Sequence, residues 1–204
     1  MLERSVCMAL VAAAFLAYSD ANAQQTRGKT GFGIAYGKSE HAFDANATSG
    51  TGTERSTTAA IWFGYDFTPS FGAQVNYWWL ADGYGLPPVS VSQGGGSSVV
   101  YTDATRDVHG WSVSGTANWP VKDWLRLTGR AGVFFWSSEI SAPPNSFCFS
   151  CPNVALRSAH GQSFTYGAGL LIGQGWGFRL DYDGFSRVDQ SRIQTLTGGI
   201  FWGF

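Results

Sequence analysis

The segment from Trp176 to Asp183 alternates strictly between large apolar residues and Gly, Arg or Asp. Its even positions carry Trp, Phe, Leu and Tyr, and its odd positions carry Gly, Arg, Asp and Asp. A period of two predicts a β-strand with one apolar face and one charged face. This pattern alone fits a strand that packs on a protein core as well as one that faces lipid. The number of such segments along the chain therefore has to distinguish the two.

Similar segments recur through the sequence and end at the C-terminus. An even number of antiparallel strands is what a closed bacterial barrel requires. The predicted fold is therefore all-β, a closed antiparallel transmembrane β-barrel of up-and-down topology with eight strands. Residues 99–102 could either extend the strands beyond the bilayer or add a hairpin, which would bring the count to ten. The eight strands are predicted at about 29–37, 57–67, 71–80, 108–119, 124–137, 162–173, 176–186 and 192–204.

The predicted connections differ in length in a regular way. Short turns at 68–70, 120–123 and 174–175 alternate with excursions at about 38–56, 81–107 and 138–161, and with a modest one near 187–191. Outer-membrane barrels have short periplasmic turns and longer external loops. We therefore expect the long connections to face the medium.

The N-terminus has the pattern of a secretory signal. Arg4 precedes an apolar run from Val6 to Tyr18, and Ala21-Asn22-Ala23 follows as a small-residue cleavage motif. A retained membrane anchor would need about 20 apolar residues, more than this run offers. We expect cleavage between Ala23 and Gln24, which makes residues 1–23 a signal peptide and residues 24–204 one barrel domain.

Composition excludes several other classes. Cleavage would remove Arg4 from 13 basic residues and Glu3 and Asp20 from 14 acidic ones, leaving 12 of each. No basic excess indicates nucleic acid. No later segment approaches the roughly 20 apolar residues of a transmembrane helix. The 27 Gly, 15 Phe, 9 Trp and 8 Tyr, with only 13% charged residues, suit strands that face lipid.

The charged phase of the strands is expected to face the barrel interior. An Arg facing lipid at mid-membrane costs about 2–4 kcal/mol. An eight-stranded barrel is just wide enough to be filled by its own side chains, so inward charges have to neutralise one another. A soluble β-sandwich is the alternative, but its aromatic faces would have to fill one oversized core. The predicted ion-pair residues of a plugged lumen are Asp66, Arg126, Arg130, Arg179, Asp181 and Asp183.

Tryptophans are expected at both membrane interfaces, where aromatic girdles fix the depth of a barrel. Trp79, Trp111 and Trp136 fall near the loop side. The alternative for Trp62, Trp78 and Trp136 is that they point inward and fill the lumen. The predicted turn-side girdle comprises Trp119, Trp124, Trp176, Trp202 and Phe204.

Cys148 and Cys151 lie in the third long loop with C-x-x-C spacing. In an oxidising compartment this spacing favours a disulfide that staples the loop. A zinc site would need two further ligands, and His160 is the one nearby His. A redox pair would need a thioredoxin-like context, which is absent. We expect no metal and no cofactor.

Serine and histidine also occur close together, which raises the question of hydrolysis. His109 is near Ser112, with Asp107 beside it, and His160 is near Ser163. In a strand, residues three apart lie on opposite faces, so neither pair can readily share a proton. No Gly-x-Ser-x-Gly motif occurs. We expect no enzyme activity.

The chain resembles the OmpA-type transmembrane domain family over nearly all of its predicted mature length. The resemblance is carried by the hairpin Phe63–Tyr77, the segment Arg126–Trp136 and the ending Gly198–Phe204. It implies an eight-stranded outer-membrane barrel. It also implies that Ile200, Trp202 and Phe204 form the C-terminal signature by which the barrel assembly machinery engages such proteins. We expect the chain to depart from full-length members by lacking a C-terminal peptidoglycan-binding domain.

The expected role is structural and interactive, in the outer membrane of a Gram-negative bacterium after export through the periplasm. The wall would contact outer-membrane lipid, and the loops would contact an extracellular or envelope protein ligand. Two alternatives stay open at this point: a small solute or ion channel, and a lipid-modifying barrel enzyme.

Overall fold

A computed structural model describes most of the chain from Lys29 to Gly203. The predicted signal peptide, cleavage site, Cys148–Cys151 disulfide and Phe204 lie outside the described residues. Within the described part, no helix has the length and hydropathy needed to span a membrane. The described residues are 29–43, 53–84, 89–93, 97–101, 105–142, 154–189 and 191–203.

The described residues form ten strands, and eight of them close into an antiparallel barrel in the order β1-β10-β9-β8-β7-β6-β3-β2. The prediction of a closed eight-stranded barrel is confirmed. The strands are β1 (Lys29–Phe43), β2 (Thr53–Asp66), β3 (Phe71–Tyr84), β4 (Val89–Gln93), β5 (Ser97–Tyr101), β6 (Thr105–Lys122), β7 (Leu125–Ala142), β8 (Val154–Gln174), β9 (Trp176–Val188) and β10 (Ser191–Gly203).

The two remaining strands, β4 and β5, pair with each other as a separate two-stranded sheet. They lie in the connection between β3 and β6, which are themselves neighbours in the barrel. The alternative of ten wall strands is therefore wrong, and the extra hairpin is an excursion from the wall.

The barrel strands run further toward the long loops than their sequence pattern predicts. β8 begins at Val154 rather than near residue 162, and its pairing with β7 extends to Ala142↔Val154. Outward positions in this extension are polar, as at Ser158 and His160, so the apolar and polar residues no longer alternate. The β7–β8 hydrogen-bonding pairing therefore continues beyond the part of the strand in which apolar and polar residues alternate.

The short turns lie where Gly, Pro and Ser predicted them. At the first, Thr68 Oγ1 accepts a hydrogen bond of 2.9 Å from Phe71 N. At the turn between β8 and β9, Gly173 and Gly175 have φ of +134° and +73°, values that favour glycine. These turns join neighbouring strands and leave the long connections at the opposite end.

On each wall strand, exposure is the reverse of that in a soluble protein, because the outward face is apolar and most polar side chains are buried inside. On β9, Trp176 and Phe178 are each 60% exposed, while Arg179 and Asp181 are each 4% exposed. Along the wall, large apolar residues point outward, while the buried inward positions hold most of the polar and charged residues together with a smaller set of apolar ones. This arrangement matches a barrel whose exterior solvent is hydrocarbon.

The tryptophan predictions are met with one correction. Trp119, Trp124, Trp176 and Trp202 are exposed on the outer wall, and so are Trp79 and Trp111 on the loop side. Trp62 and Trp78 are buried in the lumen. Trp136 packs against the buried apolar residues of the interior, so its placement in the loop-side girdle is wrong and the inward alternative is right.

Some glycines at inward positions lie so close to the neighbouring strand that they leave no room for a side chain. A Cβ on Gly132 would collide with Val113 O and lie 2.6 Å from Ser114 Cα. We expect Gly132→Ala to destabilise the barrel by about 1–3 kcal/mol, because overpacking forces the backbone to shift. The measurement is the temperature at which the compact band on unboiled gels converts to the unfolded band in detergent.

The matched control is Gly115→Ala in the neighbouring strand. Gly115 faces outward and a Cβ there would meet nothing within 4 Å. This control should keep the wild-type transition temperature. Equal transitions for the two variants would contradict the packing of the lumen, and the absence of any compact band in the wild type would contradict the closed barrel.

Candidate functional site

The centre of the lumen holds a buried charge cluster, defined as Arg130, Arg179, Asp181 and Asp183. Arg130 Nη1 donates to Asp181 Oδ1 at 2.9 Å, and Arg130 Nε donates to Asp183 Oδ1 at 2.6 Å. Arg179 Nε donates to Asp181 Oδ2 at 2.5 Å. Two cations and two anions make the cluster neutral, which is the condition for keeping such charges out of water.

The cluster bridges two strands that are not neighbours. Arg130 is on β7 and the two aspartates are on β9, with β8 between them. The β8 residues at these levels are Gly167 and Gly169, and a Cβ on either would collide with Asp183 or Asp181, respectively. Glycine on β8 therefore leaves the space through which Arg130 reaches the aspartates.

Arg179 links the cluster to the opposite wall. Its guanidinium carbon lies 4.5 Å from the centre of the Trp62 ring, a cation–π contact. Its Nη1 donates to Gln74 Oε1 at 3.1 Å. Gln74 donates in turn to Asn76, and Asn76 donates to Ser112 at 2.8 Å. A polar network thus crosses the lumen from β9 through β3 to β6.

The turn-side end holds a separate ion pair. Arg126 Nη1 lies 3.1 Å from Asp66 Oδ2, and Asn118 donates to Asp66 Oδ1 at 2.9 Å. The two charged side chains are 37% and 26% exposed. A cavity of about 420 Å³ opens beside them and extends inward as far as Trp62 and Arg179.

An apolar layer lies on the loop side of the charge cluster. Phe185 packs against Phe134 and Trp78, with ring centres 4.8 and 5.3 Å apart. The members of the layer are at most 1% exposed, so it closes the barrel at this level. The layer is defined as Leu80, Val108, Phe134, Phe185, Val188 and Ile193.

Above the apolar layer, polar side chains fill the loop-side mouth. Arg106 Nη2 lies 3.5 Å from Asp189 Oδ2 and donates to Val188 O at 3.0 Å. Arg157 donates to Asp189 Oδ1 at 2.8 Å. The Arg106–Asp189 pair is buried and ties β6 to the connection between β9 and β10.

His41 lies in the same mouth, level with outward-facing Glu40 and beyond the lipid-facing part of β1. Its Nε2 is 3.1 Å from Leu80 O, so this nitrogen carries the hydrogen and donates it. Burial, and then the charge of Arg106, lower the pKa of His41 to about 4. His41 is therefore neutral at pH 7 and adds no charge to the mouth.

The comparison with protein families decides the identity of the fold. A model of the outer membrane protein beta-barrel domain matches residues 7–204. The chain belongs to this family. It is an outer-membrane barrel protein of a Gram-negative bacterium. A sequence comparison with functionally curated proteins gives no match.

Solved structures with the same fold include three small outer-membrane proteins. One is Ail, the attachment invasion locus protein of Yersinia pestis, solved in complex with the heparin analogue sucrose octasulfate. Its TM-score is 0.55 at 16% identity, and the match covers 87% of this chain and 99% of that chain. The N-terminal β-barrel domain of Pseudomonas aeruginosa OprF has 0.51 at 14%, covering 88% and 100%. Neisserial surface protein A has 0.54 at 9%, covering 89% and 100%. These similarities concern the fold.

The structure brings the six predicted lumen residues into two groups. Arg130, Arg179, Asp181 and Asp183 form one cluster, and Asp66 pairs with Arg126 at the turn side. Of the predicted C-terminal signature, Ile200 and Trp202 face outward.

The serine and histidine pairs are placed as alternation predicts. His109 and His160 point outward, while Ser112 and Ser163 are buried in the lumen. Within the described residues, no three His, Cys, Asp or Glu side chains are grouped so that they could hold a metal ion.

Sequence reasoning missed the apolar layer and the loop-side ion pairs. Phe134 and Phe185 share the inward phase of Arg130 and Asp183, so continuing the alternation would have found them. Arg106 and Asp189 fell in predicted loops, because the outward positions near them no longer alternate with apolar residues. Extending the inward phase of β6 by two residues from Val108 would have found Arg106.

Removing a carboxylate from the buried charge cluster should cost more stability than removing one from the partly solvated ion pair at the turn side. We expect Asp183→Asn to lower the free energy of unfolding by about 3–5 kcal/mol, because it leaves the buried Arg130 with one counter-charge fewer. Asp66→Asn is the control and should cost less than about 1 kcal/mol, since its ion pair is partly solvated. Urea unfolding in detergent, followed by tryptophan fluorescence, measures both, and equal losses would contradict the buried cluster.

Proposed function

We propose that this protein is a non-conducting outer-membrane anchor that presents its long connections to the medium. The observation that carries this proposal is the apolar layer across the lumen. With that passage filled by packed rings and aliphatic side chains, the part of the molecule left for interaction is its loop-side surface.

The charge cluster next to the apolar layer supports the same conclusion. A solute crossing the barrel would have to displace Phe134 and Phe185 and also separate Arg130 from two aspartates. Separating buried ion pairs leaves uncompensated charges and is strongly unfavourable. The side chains in the lumen therefore stabilise the barrel and leave no path for transport.

The loop-side surface is where a partner would bind. It includes the β4–β5 hairpin, which lies outside the barrel sheet. The partner proposed for it is an extracellular or envelope protein ligand. The Ail complex with a heparin analogue is a precedent for ligand binding on this fold and does not identify the ligand of this chain.

The remaining parts of the proposal concern biogenesis and the membrane. Export would remove residues 1–23, a disulfide between Cys148 and Cys151 would restrain the third long loop, and outer-membrane lipid would cover the outward aromatic residues. Ile200, Trp202 and Phe204 would engage the barrel assembly machinery.

A small channel is the rival function, and the turn-side cavity of about 420 Å³ is the observation in its favour. We expect wild-type protein in planar bilayers to conduct no more than the bilayer alone, because the cavity ends below the apolar layer. A large porin in the same bilayers is the positive control. Wild-type current that disappears on Val108→Phe, which adds bulk to the apolar layer, would establish the channel and overturn the proposal.

The same proposal has a second readout on intact cells. External protease should cut the chain in the long connections and leave the wall strands protected. Complete resistance of the folded protein on cells, combined with cleavage after the outer membrane is permeabilised, would place the long connections on the wrong side.

A further inference from the structure

Three outward-facing side chains form a row across β6, β7 and β8 on the loop side of the wall. His109 of β6 pairs with Ser137 of β7, and Ser137 pairs with His160 of β8. Directly paired residues share a face, with Cβ atoms about 4.5–5.5 Å apart. Ser137 therefore has an imidazole on each side, an arrangement that spacing along the sequence does not reveal.

An acid and an amide complete the group around Ser137. Asp107, two residues before His109 on the same face, has Oδ1 3.8 Å from His109 Nδ1. A carboxylate at Nδ1 leaves Nε2 of His109 for a neighbouring group. Gln162 is paired with Phe135 and lies diagonally across from Ser137.

The row lines a shallow, open crevice on the outer surface of the wall. Its membrane side is formed by Tyr77, Trp111 and Phe135, whose aromatic rings lie one row closer to the membrane centre. An aromatic belt marks the interface at which lipid headgroups begin. The ester groups of lipids lie at this level, so the crevice faces the bonds that join acyl chains to headgroups.

We propose that Ser137, His109 and Asp107 form a hydrolytic site for acyl esters of an outer-leaflet lipid. This activity goes beyond the anchoring role proposed above. It also departs from the expectation of no enzyme activity, which weighed Ser112 and Ser163 and missed the serine that cross-strand pairing supplies.

The proposed reaction uses water as its second substrate. Ser137 Oγ attacks the ester carbonyl carbon while its proton passes to His109 Nε2, and Asp107 orients the imidazole through Nδ1. His109 then returns the proton to the departing alkoxide, which leaves an acyl ester on Ser137. A water molecule attacks that ester, giving its proton to His109, and the free fatty acid leaves as Ser137 recovers its proton.

The β8 side of the crevice supplies the donors for the developing oxyanion. The amide of Gln162 and the ring N–H of His160 lie across Ser137 from His109. Neither imidazole is hydrogen-bonded to Ser137 in this structure. Catalytic hydrogen bonds often tighten only when substrate is bound, and the direct pairing of His109 with Ser137 sets their Cβ atoms about 4.5–5.5 Å apart.

The test uses full-length protein folded in dodecyl maltoside micelles. A fluorophosphonate probe reports an activated serine through intact mass and peptide mapping, and p-nitrophenyl dodecanoate reports ester hydrolysis. Ser137→Ala is the principal variant. Ser158→Ala is its matched control, because Ser158 is also outward-facing, pairs with Glu139 of β7 and lies one row further from the membrane. Migration on unboiled gels verifies folding of every variant.

We expect the probe to label Ser137 and hydrolysis to fall at least about 100-fold in Ser137→Ala and His109→Gln, the scale of a lost nucleophile or base. Ser158→Ala should retain wild-type activity. Labelling of another serine, or hydrolysis by folded wild type no faster than by Ser137→Ala, would overturn the site. A loss in His160→Gln with full activity in His109→Gln would overturn the assignment of the base. None of these results bears on conductance or on loop exposure, so the anchoring proposal is judged separately.

Discussion

The structure depends on the requirement that a chain crossing hydrocarbon satisfies every backbone hydrogen bond internally. Closing the sheet from β1 to β10 meets this requirement, since no wall strand is left with an open edge. Closure then fixes which side chains face lipid and which face the lumen. The alternation seen in Trp176–Asp183 is the direct result, with aromatic residues outside and Arg179, Asp181 and Asp183 inside.

The narrow lumen leaves little room for the long inward charged side chains, and glycines on neighbouring strands provide that room. Arg130 reaches Asp181 and Asp183 across β8 only because Gly167 and Gly169 leave the strand without side chains there. A neutral charge cluster next to an apolar layer then fills the middle of the barrel. The structural consequence is a lumen closed by packed side chains at the level of the apolar layer.

Much of this follows from sequence, and the exceptions share a physical cause. The number of strands, the inward phase and the six charged lumen residues follow from a period of two and from the cost of placing Arg in lipid. Arg106, Asp189 and the full length of β8 did not follow, because outside the hydrocarbon both faces of a strand are polar. The row of His109, Ser137 and His160 was hidden for another reason, since cross-strand pairing joins residues more than 20 positions apart.

The claim on which all of this rests is that hydrocarbon covers the outward phase of each strand. Spin labels placed singly at positions 111–117 of β6 in lipid vesicles test it most directly, through collisions with oxygen and with a water-soluble nickel chelate. We predict oxygen accessibility with a period of two, high at outward positions 111, 113, 115 and 117 and low at 112, 114 and 116. High accessibility of the odd positions to the nickel chelate, with no preference for oxygen, would contradict the account.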